Sequence, residues 1–313
     1  MPVNQPLMDG IVAGMGVVFV PGGSPRFAVN DRLLLAAVAA TQALIPAKTS
    51  VEYTGTMSFP DGAGGTVTFN AVVQLGADGA PGAPDGQPAL IMKPSVAGQI
   101  LIAVGGRSME VPAASGVSSG GPASVLCGDE CLAVALGGRG GDIPLPPPAP
   151  VGMSGSGDGG DATVVGGASC VLVAIGGSGN TGCPPLGRIV AGATGSAGQR
   201  GGHGGTARAT GRSDCWGETI GGGGGIGGPG GGGGPPSPGT VWTFTVLGTT
   251  HSVIIPFTGV AAGPPGNQGV GGNGGSAILT MGKNSTYSAG SGHGLGGAGL
   301  PAGRDGRYTD NSP

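Results

Sequence analysis

The sequence predicts a mainly β protein, built of antiparallel hairpins plus extended polyglycine II helices, with one short N-terminal helix. Three observations predict it. Apolar residues alternate through residues 51–59 and again through 66–75, which is the period of a strand with one buried face. Glycine supplies 76 of the 313 residues and proline a further 28, far more than turns alone need. One stretch, NDRLLLAAVAATQAL at residues 30–44, places Leu and Ala behind Asn30 or Asp31 as a helix cap.

Taken in chain order, the helix ends before Pro46, because the residue preceding a proline avoids the helical region. In the first hairpin, Val51, Tyr53, Met57 and Phe59 alternate, PDGAGG turns the chain, and Val67, Phe69, Ala71, Val73 and Leu75 alternate back. A second hairpin places Trp242, Phe244 and Val246 against Val253, Ile255 and Phe257 around GTT. Between them GADGAPGAP, residues 76–84, holds three collagen-like triplets, too few for a triple helix and therefore a loop. PLPPPAP at residues 144–150 reads as a rigid spacer.

Two irregular repeats run through the middle of the chain. An apolar residue, Ala, an apolar residue and Gly-Gly recur at Ile102-Ala103-Val104, Val134-Ala135-Leu136 and Val173-Ala174-Ile175. Gly, any residue, Gly-Gly, a small polar residue and Ala recur as GDGGDATVV from Gly157, GHGGTARAT from Gly202 and GNGGSAILT from Gly272. Short strands joined by glycine-rich excursions of variable length give this pattern. Glycine runs, the longest at residues 221–234, are entropically costly to order. Side-chain-free extended chains can meet that cost by pairing their backbones closely, which gives polyglycine II helices with isolated apolar residues such as Ile226 on the outside.

Disorder is not expected, since charged residues are 9% of the chain, the formal net charge is -3 and mean hydropathy is positive. No Lys/Arg cluster marks a nucleic-acid or anionic-membrane partner. The start MPVNQPLMDG lacks a secretory pattern, and the longest apolar run, Leu33 to Ala40, is short of a membrane span. Five cysteines, Cys127, Cys131, Cys170, Cys183 and Cys215, are odd in number and suit assembly in the cytosol. Cys127 and Cys131 flank Asp129, but the other thiols lack zinc-site spacing, so no metal is expected.

Catalysis is not expected either. The acids Asp129, Glu130, Asp142, Asp158, Asp161 and Asp214 are scattered through glycine-rich sequence, where aspartate serves turns. His203, His251 and His293 allow no triad to be nominated. The GxGxxG matches lack a following helix, and Gly282-Lys283-Asn284-Ser285 lacks the upstream glycine of a phosphate loop, so no cofactor is expected. Asn284-Ser285-Thr286 matches a glycosylation acceptor without a secretory start beside it.

GDGGDATVV, GNGGSAILT and ASCVLVAIGGSGN, framed by TVWTFTVLGTTHSVIIPF, resemble the glycine-rich domains of bacteriophage tail-fibre, adhesin and related virion proteins over residues 100–282. The aromatic hairpin follows the longest glycine run, unlike the usual order, and Trp216 is nearly alone among glycines. The resemblance implies a structural virion component, a tail fibre, spike or capsid fibre, assembled in the host cytoplasm. Its partners would be other virion proteins, further copies of itself as in a trimer, and a host-cell receptor, with neither nucleic acid nor membrane insertion. The expected organisation is an assembly region at 1–125, a glycine-rich repeat domain at 126–282 and a glycine-rich tail at 283–313. Two other readings fit the composition: a non-viral glycine-rich surface or ice-binding protein, and a tail-spike polysaccharide depolymerase with a carboxylate pair in a groove.

Overall fold

The computed structural model describes residues 49–61, 63–111, 117–141, 157–180, 200–227, 264–265, 267–287 and 294–312, together with Val12 and the strands Val18–Val20, Arg26–Ala28, Val241–Val246 and Thr249–Ile254. Two stacked sheets organise these residues. The central sheet runs, in spatial order, Thr286–Tyr287, Trp216–Ile220, Val171–Ile175, Leu132–Leu136, Ile100–Val104, Thr66–Leu75 and Val51–Pro60. The outer sheet runs Tyr308–Asp310, Ala277–Met281, Ala207–Gly211, Ala162–Val165, Ala123–Cys127 and Ala89–Lys93.

Each turn of the chain makes one strand of each sheet. An outer strand passes through a tight arch into a central strand, and a glycine-rich excursion then returns to the next outer strand. Every turn runs the same way, so neighbours within a sheet are parallel. The repeat units are in register: Ile102, Val134 and Val173 share one row, and Ala103, Ala135 and Ala174 the next. In the outer sheet Ala89, Ala123, Ala162, Ala207 and Ala277 share a row.

The predicted fold class is corrected by these ladders. Antiparallel pairing is confined, among the described strands, to Val51–Pro60 with Thr66–Leu75, Val241–Val246 with Thr249–Ile254, and Val18–Val20 with Arg26–Ala28. The architecture is instead parallel, because consecutive strands fall in different sheets and meet their own sheet again only one turn later. The described residues contain essentially no helix, and the expected helix at 30–44 lies outside them. The polyglycine II helices are not shown: the described glycine segments are unassigned extended connections at the sheet margin, and the part of the longest run after residue 227 lies outside the described residues.

The space between the sheets tapers. At the arch end Leu101, Leu172, Ile91, Leu279 and Met281 fill it, and toward the excursions it is filled by Ala103, Ala135, Ala174, Ala123, Ala162 and Ala207. Glycine follows. The other face of the central sheet buries a separate aliphatic layer, including Ile102, Val134, Val173 and Leu136, joined at the hairpin by Met57 and Phe59. The Phe59 and Phe69 rings stand 6.1 Å apart in a tilted pair.

Candidate functional site at the glycine-sealed end

Stacked sheets ordinarily stay about 10 Å apart because side chains separate them. Where the alanine rows give way to glycine, the two layers come within direct hydrogen-bonding distance. Gly121, which leads into an outer strand, donates its N–H to the carbonyl of Gly106, which follows a central strand, at 2.7 Å. The chain of bonds then alternates between layers: Gly138 donates to Gly121, Gly160 to Gly138, Gly177 to Gly160, Gly205 to Gly177 and Gly222 to Gly205, at 2.8 to 2.9 Å. Gly275, Gly294 and Gly306 continue it. A second row lies three residues farther out, where Gly202 donates to Asn180, Gly225 to Gly202 and Gly272 to Gly225, each at 2.8 Å.

A side chain does not fit at the glycine positions of these rows. A Cβ on Gly138 would lie 1.9 Å from the Gly106 carbonyl oxygen, and one on Gly222 equally close to that of Gly177. Backbone groups that would otherwise form an open margin are thereby paired across the layers.

Side chains remain at every third position and form a polar column along the surface. Asp85 accepts the N–H of Ser119 at 2.7 Å, and Asp158 that of His203 at 2.7 Å. His203 Nδ1 accepts the N–H of Asn273 at 2.8 Å, and Asn273 Oδ1 that of Arg304 at 2.9 Å. These partners are separated in sequence by 34, 45, 70 and 31 residues, so excursion length varies while surface geometry is kept. Asp161 accepts the N–H of Thr206 at 2.7 Å in a parallel column. Arg200 joins the first column through an ion pair with Asp158 at 3.4 Å and a contact with His203 Nε2. Ile226, Val270, Leu295 and Leu300, 41 to 67% exposed, are aliphatic side chains presented among the glycines of this end.

Beside the seal, a groove of about 400 Å³ runs across the central sheet. Val104, Leu136, Ile175 and Ile220 line it with the adjoining glycines, Arg139 and Ser178, whose Oγ accepts from Arg139 Nε at 3.3 Å. Its lining holds no carboxylate.

Among the described residues, the acids singled out in the sequence divide between the two ends. Asp129 accepts the N–H of Ala168 at 2.8 Å at the arch end, while Asp158 and Asp161 hold backbone at the glycine end. Glu130 and Asp214, with φ of 57° and 60°, are arch residues in the left-handed region, as are Ser169 and Asn284. Lys283 and Asn284 belong to the last arch, where the Lys283 carbonyl accepts the N–H of Asp214. Asp142, Cys183, His293 and residues 144–150 lie outside the described residues, and of the His251 side chain nothing is described.

Four thiols converge at the arches. Cys127, Cys131, Cys170 and Cys215 are free and buried. Cys131, Cys170 and Cys215 each directly follow a left-handed residue and directly precede a central strand. Each S–H points to the carbonyl two residues back and to one in the preceding turn: Cys170 reaches Gly128 at 3.1 Å and Cys215 reaches Gly167 at 3.2 Å. Ser285 takes the same place in the last turn, its hydroxyl donating to the Arg212 carbonyl at 3.2 Å. Hydrogen bonds from the thiols of Cys127 and then Cys215 hold the Cys170 thiol below its ordinary range, while Cys127 and Cys215 are pushed up. Among the described residues no group of three or more His, Cys, Asp or Glu is arranged to hold a metal ion.

Sequence reasoning named His203 and Ser285 but missed their roles in the polar column and the last arch. Both had a signal in their position: His203 stands where the other repeat units carry Asp158 and Asn273, and Ser285 stands one residue before a strand, as the cysteines do.

No family model and no curated protein matches the chain. Among solved structures, a springtail antifreeze protein from Granisotoma rainieri, described as a nine polyproline type II helical bundle, is 20% identical over 61% of this chain and 91% of its own. Its TM-score is 0.12, a likeness too slight to carry an argument about fold or function.

Proposed function

We propose that the protein is a non-enzymatic structural component of a bacteriophage particle, a tail fibre, spike or capsid fibre, whose glycine-sealed end presents surface positions for contact. One observation carries this reading: the two sheets are closed on one another by backbone bonds that leave only every third residue free to vary. Such an end is stiff by construction, and the Asp158, His203 and Asn273 row demonstrates that its outward residues can change without altering the backbone beneath. A particle needs that combination of fixed frame and variable surface. The exposed aliphatics Ile226, Val270, Leu295 and Leu300 are the natural contacts for another virion protein, a further copy or a host receptor. Electron microscopy of particles carrying a label at Pro313 tests the reading. A label at a fixed place on the virion is expected, and particles that never carry it would overturn the assignment.

A second reading, a non-viral surface or ice-binding protein, draws on the outer sheet's solvent face. There Ser124 aligns with Thr163, and Thr210 with Thr280, on strands about 4.8 Å apart. Thermal hysteresis measured on the purified protein separates the two, since a virion component needs none.

A further inference from the structure

The thiol column is more than a set of isolated buried cysteines. Val171 pairs with Leu132 on one side and with Trp216 on the other, so the preceding residues Cys131, Cys170 and Cys215 stack in three consecutive turns. Neighbouring parallel strands are about 4.8 Å apart, inside the Cα separation of about 4.4–6.8 Å that a disulfide spans. Cys127 ends the outer strand of the turn in which Cys131 directly precedes the central strand, and both are buried in the layer between the sheets.

We propose that this column is a redox latch: under a peroxide oxidant Cys170 joins Cys215, stapling two successive turns at the arch end, and Cys127 joins Cys131, closing one arch. The alternative links, Cys170 to Cys127 or to Cys131, each leave Cys215 two turns from the remaining thiol, so only the first pairing uses all four. Cys170 is the attacking group, because it stands between the other two stacked thiols and its own thiol is held below its ordinary range. Its sulfur attacks one oxygen of hydrogen peroxide, breaking the O–O bond and leaving a sulfenic acid and water. The Cys215 sulfur then attacks that sulfenic sulfur and expels a second water. Two thiols are thus oxidised by two electrons and one peroxide is reduced to two waters; a second peroxide, consumed in the same two steps, joins Cys127 to Cys131. The S–H bonds lost cost little, because the carbonyls of Gly128 and Gly167 also accept the N–H groups of Gly167 and Arg212.

The test treats the folded full chain with hydrogen peroxide, alkylates it after denaturation and maps the peptides without reductant. Of the five cysteines, only Cys183 should remain alkylatable. Linked peptides should contain Cys170 with Cys215 and Cys127 with Cys131, the melting midpoint should rise, and dithiothreitol should reverse both changes. Cys215→Ser places a hydroxyl where Ser285 already works in the last turn, so the fold is kept. That variant should lose the inter-turn link and the rise in midpoint while retaining the Cys127 to Cys131 bond. Unreacted thiols in the folded chain, sulfinic acid without a link, or a link from Cys170 to Cys127, Cys131 or Cys183 would each overturn the proposal.

Discussion

The two ends of the sandwich close the same pair of sheets by opposite means. At the arch end the chain crosses between sheets in a few residues and fills the corner with side chains, using a left-handed residue and then a thiol or hydroxyl in each turn. At the glycine end the side chains are removed, and backbone bonds directly to backbone across the layers. Tolerance therefore differs. An arch can exchange Cys for Ser, as Cys215 and Ser285 demonstrate, whereas an inward glycine has no substitute.

The largest effect should come from breaking the seal. Gly222→Ala sets a methyl group 1.9 Å from the Gly177 carbonyl oxygen and 2.9 Å from the Gly205 nitrogen, and backbone on both sides prevents relief. The expected loss exceeds about 4 kcal/mol, the range reserved for severe steric conflict, and chemical denaturation of the variant measures it. A loss under about 1 kcal/mol would mean that the layers can separate without damage.

Much of this end was legible as rows and little of it as architecture. The repeats at Ile102, Val134 and Val173, and at Gly157, Gly202 and Gly272, are rows of the actual ladders. What the repeats could not reveal is that the two motifs belong to different sheets. An alternating hairpin such as Val51–Pro60 with Thr66–Leu75 has a local signature, whereas parallel pairing of Ala207 with Ala277 joins residues separated by a long excursion and leaves no local trace. Extrapolating from the hairpins therefore gave the wrong sheet type. Turn chemistry alone does not describe the acids: Asp161 holds the N–H of Thr206, a partner 45 residues away that becomes visible only in register.

The taper between the two ends predicts the next effect. Leu172 is fully buried between the sheets near the arches, where residues are large and the space is wide. Leu172→Ala should cost about 2–5 kcal/mol through lost burial and the cavity left behind. Cavity filling by xenon, or recovery of stability with a small apolar ligand, would distinguish that cavity from a collapsed site. At the arch itself the sign should reverse. Asp214 is exposed and holds φ of 60°, a conformation that costs an L-residue about 1–2 kcal/mol. Glycine there gives back about 0.4–1 kcal/mol through the freer unfolded chain. Asp214→Gly should accordingly raise stability by about 0.5–1 kcal/mol, and a drop in the denaturation midpoint would show that the Asp214 side chain holds the arch in another way.

The smallest effect is the most discriminating, because it is expected one residue away from the largest. Gly223 follows Gly222 in the same segment, yet the nearest atom to an added Cβ is the Leu295 carbonyl oxygen at 4.0 Å. Its position faces outward, in the row of Ser178 and Leu295, whose carbonyls accept from the neighbouring segments just as that of Gly223 does. Gly223→Ala should leave stability within about 0.5 kcal/mol of the parent, since the steric term is absent and the lower entropy of the unfolded chain offsets any small strain. Equal losses from Gly222→Ala and Gly223→Ala would mean that glycine is required for flexibility along the whole segment. A large loss at one and none at its neighbour would mean that glycine is required only where a second backbone passes, which is the requirement that makes the outward row free to carry function.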